Sequence, residues 1–137
     1  MAAFTITSET NKSLSTLKQI FDFIGDFKNF DSILPHDKIE NFQYQDNECS
    51  FNIKGITPMK IKMAEKKPYE FILFTSDGLA KFNFNLKVYF IGEAEQPGAC
   101  KVELEGDLNP FIKVMADKPL TNLVNAMSKK LAELELG

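Results

Sequence analysis

Five turn signals cut the middle of this chain: Asp46-Asn47, Gly55 to Pro58, Lys66-Lys67-Pro68, Asp77-Gly78 and Gln96-Pro97-Gly98. Gly, Pro, Asn and Asp punctuate because they adopt or enforce backbone angles that helices and strands do not use. The intervening segments are rich in β-branched and aromatic residues, and consecutive short-looped strands pair antiparallel. The spacing predicts six strands, near 39–45, 48–54, 58–65, 69–76, 80–93 and 99–108. Such a meander must cover one of its faces, and the flanking segments are what remain to cover it.

Those flanks are suited to the task. Phe4 to Glu9 alternates as a short strand. Ser13 reads as a helix N-cap, followed at helical spacing by Leu14, Leu17, Ile20, Phe21 and Ile24, with Gly25 as the stop. A second short helical piece carries Phe27, Phe30, Ile33 and Leu34 before Pro35. At the other end Asn109 caps a helix with Pro110 in its first position. Its apolar stripe runs through Ile112, Met115, Ala116, Leu120, Leu123, Val124, Met127, Leu131 and Leu134. Pro119 predicts a kink or short break near Asp117-Lys118.

Side-chain parity gives an expected register. A two-residue turn at Asp77-Gly78 pairs Leu73 with Phe82, Phe71 with Phe84 and Tyr69 with Leu86. A turn at Asp46-Asn47 pairs Phe42 with Phe51 and Tyr44 with Cys49. A loop from Lys54 to Pro58 sets Ile53 beside Met59 and Phe51 beside Ile61, and a Lys66-Lys67-Pro68 loop sets Met63 beside Phe71. Cys100, Val102 and Leu104 point inward on the last strand. Ile72, Phe74, Tyr89 and Ile91 then face outward, as scattered apolar residues or as a dimer or partner patch. Lys54, Lys60 and Lys62 form a lysine-rich outer edge.

Length and composition narrow the function classes. The 137 residues suit a single domain, 1–137, with a substantial core. All sixteen basic residues are lysines and the net charge is -3, so the arginine fork and the basic footprint of a nucleic-acid binder are missing. One histidine, His36, and two cysteines, Cys49 and Cys100, do not make a tetrahedral Cys/His zinc site, and no phosphate loop or nucleophile motif appears. No metal or cofactor is expected, and the cysteines are expected to be free thiols. The N-terminal residues lack the pattern of a secretion signal and no apolar run reaches membrane-spanning length, so a cytoplasmic location without stable membrane insertion is expected.

The order of elements resembles the START-like superfamily, also called the helix-grip or SRPBCC fold, which includes polyketide cyclases and birch pollen allergens. The features that carry the resemblance are an opening strand ending Ser8-Glu9 and a helix Leu17 to Asp26 centred on Ile20-Phe21-Asp22-Phe23-Ile24. Phe30 through Leu34-Pro35, the Asn109-Pro110 helix start and the stripe through Leu131 complete it. The resemblance implies an α+β fold of order β-α-α-β6-α, a curled seven-stranded antiparallel sheet wrapped around a long C-terminal helix. It also implies an apolar cavity between sheet and helix.

The expected lining of that cavity is Tyr44, Phe51, Met63, Phe71, Leu73, Phe82, Phe84 and Leu104 from the sheet, faced by Met115, Leu123 and Met127 from the helix. The opposing expectation is that the phenylalanines close the space as ordinary core. Glu65 falls inward beside Tyr69 at a hairpin end, as a polar anchor or acid/base pair, or else as a solvated strand end. His36 reads as a loop histidine or a base at the entrance. The leading expectation is binding or transport of a small apolar molecule by a monomer or homodimer. The alternatives are a cyclase- or hydratase-type enzyme using the same cavity, and a protein-interaction module without a ligand.

Overall fold

The computed structural model describes residues 2–77 and 82–136. The elements are β1 (Ala2–Thr7), β2 (Asn11–Thr16), α1 (Leu17–Ile24), a 3-10 helix (Phe27–Ile33), β3 (Ile39–Gln45), β4 (Glu48–Ile53), β5 (Thr57–Lys67), β6 (Phe71–Ser76), β7 (Phe84–Ile91), β8 (Pro97–Leu108) and α2 (Pro110–Glu133). The strands form one antiparallel sheet in the order β1-β8-β7-β6-β5-β4-β3, and β2 pairs with the first part of β8 beside β1.

The sheet thus has eight strands where seven were expected. The added strand is β2, whose residues the helical spacing of Leu14 and Leu17 had assigned to α1. Strand alternation prevails because Ser13 and Ser15 are buried while Leu14 between them is 61% exposed. The Ser13 hydroxyl accepts from the Gly98 amide at 2.9 Å, and the Ser15 hydroxyl donates to the Leu134 carbonyl at 2.6 Å and accepts from the Leu136 amide at 2.8 Å. The N-cap of α1 is therefore Thr16, which forms a reciprocal capping box with Gln19.

The register of β6 also corrects the expectation. Phe71 pairs with Tyr89, Ile72 with Val88 and Phe74 with Leu86, so Ile72 and Phe74 point inward and are fully buried. Phe71 and Leu73 lie on the outer face, where the Lys87 ammonium sits 4.2 Å from the Phe71 ring centroid. The supposed Asp77-Gly78 turn lies partly outside the described residues. Its flanking strands stop at Ser76 and resume at Phe84, and a slip by an odd number of positions reverses every side chain of one strand. Between β4 and β5 the slip is even: Phe51 pairs with Met59 and Cys49 with Ile61, which keeps both inward. Tyr44 does pair with Cys49, but a bulge around Asn41, whose φ is 58°, removes the Phe42 pairing with Phe51. A second bulge in β5 sets Met63 against Phe74 and Glu65 against Leu73.

The concave face is covered by the two short helices and α2. Phe27, Phe30 and Ile33 recur every third residue, which aligns them on one face of a three-residue-per-turn helix, and all three are buried. Phe30 and Phe27 pack on Phe74 with ring centroids 5.2 and 5.6 Å apart. Asn109 caps α2 by accepting from the Phe111 amide at 2.8 Å. The helix runs unbroken past Pro119, without the expected interruption at Asp117-Lys118. The carbonyl that Pro119 leaves without an amide partner is that of Met115, on a turn where the residue is 63% exposed and water can hydrate it.

Candidate functional site

A groove of about 260 Å³ lies between α2 and the β3–β4 end of the sheet. Ile39 and Ile53, cross-strand partners at the start of β3 and the end of β4, form one apolar wall with Leu123 and Pro119 of α2 opposite. The approach to β3 is fixed by hydrogen bonds from the Lys38 and Ile39 amides to the Pro35 carbonyl, at 2.9 and 3.1 Å. The Lys54 amide donates to the Lys38 carbonyl at 3.1 Å, tying the two edges of that wall together. Lys38, Lys54 and Lys118 stand on the rim with Asp37 and Asn122. Among the described residues none of these three lysines pairs with a carboxylate, whereas Lys60 lies 3.0 Å from Glu48 and 3.7 Å from Asp77. Those carboxylates push the Lys60 ammonium pKa above its ordinary value, the hydrogen bond to Glu48 being the main cause.

The residues expected to line the cavity separate into four groups. Phe51, Phe82, Phe84, Leu104, Leu123 and Met127 are buried, and of these Leu123 reaches the groove. Phe74, Leu104, Val124 and Met127 have no surface that a water-sized probe can touch, so the space around them is filled by side chains. Met63 and Tyr69 are half-buried, and Tyr69, held at a φ of 64° in the β5–β6 turn, packs edge-on against Phe21 at 5.4 Å. Phe71 and Leu73 stand on the outer face. Tyr44, Glu65 and Met115 are exposed.

The chemistry-bearing side chains lie apart. Glu65 is a solvated strand residue on the outer face opposite Leu73, and among the described residues no hydrogen bond joins it to Tyr69. His36 is an exposed loop residue whose Nε2 lies 3.1 Å from the Asp31 carbonyl oxygen and 3.5 Å from its carboxylate. Cys49 and Cys100 are free and buried. Burial pushes the Cys49 thiol above the usual range, with the Glu48 charge adding to it, and pushes Cys100 up to about 12. Both remain protonated thiols near neutrality, the unreactive form. Among the described residues no group of three His, Cys, Asp or Glu side chains is placed to hold a metal ion, and no helix is long and apolar enough to cross a membrane.

The groove residues that sequence reasoning missed as a set are Lys38, Ile39, Ile53, Lys118 and Asn122. They come from three separated stretches of chain, and only the inward parity of Ile53 and the helix break expected at Pro119 hinted at them.

No family model matches the sequence, and no curated protein matches it. Solved structures do match. TTHA0849 from Thermus thermophilus aligns over 94% of this chain and 94% of its own, with a TM-score of 0.70 and 12% identity. Norcoclaurine synthase from Thalictrum flavum, in complex with dopamine and hydroxybenzaldehyde, aligns over 96% of this chain and 85% of its own, with a TM-score of 0.68 and 12% identity. XoxI from Bacillus cereus aligns over 96% of each chain at a TM-score of 0.58 and 14% identity. At these identities the likeness is one of fold. An open, curled antiparallel sheet gripping a long C-terminal helix is what this chain has in common with them, and its fold is the helix-grip fold.

Proposed function

We propose that the protein binds a small, largely apolar molecule in the groove between α2 and the β3–β4 end of the sheet. The observation that carries this reading is the apolar cleft itself, where Ile39 and Ile53 face Pro119 and Leu123 across a gap of about 260 Å³. Pockets for organic ligands commonly span ~300–1,000 Å³, so the molecule held here is small or leaves part of itself outside. A part left outside has somewhere to lie. Phe111, Met115, Pro119 and Asn122 follow at helical spacing along α2, and Phe111 and Met115 are 83% and 63% exposed, which extends the apolar surface beyond the mouth.

Binding is favoured over catalysis because the polar groups at hand are three lysines, Asp37 and Asn122, and among the described residues no hydrogen bond or ion pair couples Asp37 to any of them as an acid/base pair. The fold adds weight, since a neighbour of the same fold was solved with two small aromatic molecules. The buried residues behind the groove, Phe51 and Met127 among them, form a packed floor, so the ligand is held at the mouth of the grip and not at its centre.

Native mass spectrometry of protein purified without detergent tests the reading. The expected result is a population heavier by a small-molecule mass that is lost on denaturation and on Leu123→Trp, which fills the groove. A bare mass, followed by no adduct after incubation with millimolar octanol, would contradict it.

A further inference from the structure

The groove's rim says what kind of molecule its apolar walls receive. Lys38 precedes β3, Lys54 follows β4 and Lys118 lies on α2, so three separate stretches of chain each bring a lysine to one cleft. Elsewhere seven of the other twelve described lysines are engaged, and Lys12, Lys18, Lys113, Lys129 and Lys130 stand apart from the groove. Lys28, Lys60, Lys62 and Lys67 pair with carboxylates, Lys66 donates to the Gly25 carbonyl, and Lys87 and Lys101 lie over the Tyr89 ring. At the groove Asp37 is the one carboxylate against three ammonium groups, and no ion pair joins them among the described residues. The Asn122 amide adds a neutral donor.

We infer that the groove selects an acidic amphiphile, a molecule with a short apolar body and a carboxylate or phosphate head, the head being held by Lys38, Lys54 and Lys118. This rests on the groove being the binding site. An apolar wall bounded by unpaired cations at its mouth takes the tail against Ile39, Ile53 and Leu123 and leaves the head at the solvent edge. With no arginine anywhere in the chain, lysines must supply the charge, and as flexible point charges they accept either head group. The long stems of these lysines also let the site adapt to tails of different length.

Calorimetric titration of the full chain with octanoate, octyl phosphate and octanol separates the claims. The expected result is that at least one acid binds about tenfold more tightly than octanol, and that raising the salt to about 1 M removes most of the difference. The triple variant Lys38→Gln, Lys54→Gln, Lys118→Gln should lower acid affinity to that of octanol. A control triple, Lys12→Gln, Lys18→Gln, Lys129→Gln, removes the same charge from exposed sites away from the groove and should keep the preference. Equal affinity for acid and alcohol, or a loss that the control triple reproduces, overturns the inference while the groove reading stands. Absence of binding by all three compounds overturns both. Whether octanoate or octyl phosphate binds more tightly then names the head group.

Discussion

The two halves of α2 carry similar apolar residues and meet opposite fates. From Ala116 onward the stripe Leu120, Val124, Met127 and Leu131 is fully buried, yet Phe111 and Val114 in the first turns are 83% and 84% exposed. The buried half is also fastened by polar contacts. Ser128 lies 2.9 and 3.1 Å from the Glu9 and Cys100 carbonyls and accepts from the Asn11 amide at 3.0 Å, while the Glu9 amide donates to Asn125 at 2.9 Å. Among the described residues no comparable strap holds the first half beyond its Asn109 cap. The groove lies where the buried stripe begins, with Lys118, Pro119, Asn122 and Leu123 of α2 against Ile39 and Ile53 of the β3–β4 end of the sheet.

Substitutions that treat the two halves alike should give unlike results. The largest contrast is expected for truncation of apolar side chains. Leu120→Ala and Met127→Ala should each cost about 2–5 kcal/mol in denaturant unfolding, while Phe111→Ala should change stability by less than about 0.5 kcal/mol. Equal costs would mean that the first turns are packed after all. Next comes the polar strap. Ser128→Val leaves the Glu9 and Cys100 carbonyls and the Asn11 amide without their partner, which should cost about 1–3 kcal/mol, and Asn122→Ala on the groove side should be nearly neutral.

The thiols sharpen the same contrast. The Cys100 pKa is raised in the folded state from 9.0 to about 12, so the native protein holds its proton where the unfolded chain has released it. The stability associated with the neutral thiol is complete below pH 9.0 and is lost as pH rises toward about 12. The loss approaches about 1.4 kcal/mol per pH unit, and Cys100→Ala should flatten that slope. A cysteine introduced on the free half, as Met115→Cys, should react with a thiol-specific reagent within the mixing time, while native Cys49 and Cys100 react only on unfolding. The smallest effect is expected from Val114→Lys, which adds charge to an exposed turn and should leave the unfolding midpoint within error.

Which parts of this arrangement were legible in the sequence follows from the range of the interactions concerned. The Asn109 cap, the α2 stripe from Ala116 to Leu131 and the inward parity of Cys100, Val102 and Leu104 depend on neighbours a few residues away, and the structure has them as read, whereas Met115, read into the same stripe, is exposed. The faces of β6 depend on how many residues lie between β6 and β7. One odd slip there moved Ile72 and Phe74 into the core and Phe71 and Leu73 out of it. Strand β2 was hidden because its buried residues are serines, whose partners are backbone groups far away in the chain. The groove was the least legible feature. Its walls join the edge of a hairpin to the middle of a helix, and no local pattern states how far along the sheet a helix will lie.

The central claim is that the ligand sits in the groove between α2 and the β3–β4 end of the sheet and not in the packed centre of the grip. Methyl-resolved NMR titration with octanoate tests it most directly. Shifts concentrated on Ile39, Ile53 and Leu123, with Ile72, Leu104 and Val102 unmoved, are the result this account predicts. Shifts centred on Ile72, Leu104 and Met127 would contradict it, because they would mean that the ligand opens the core which the aromatic rings now close.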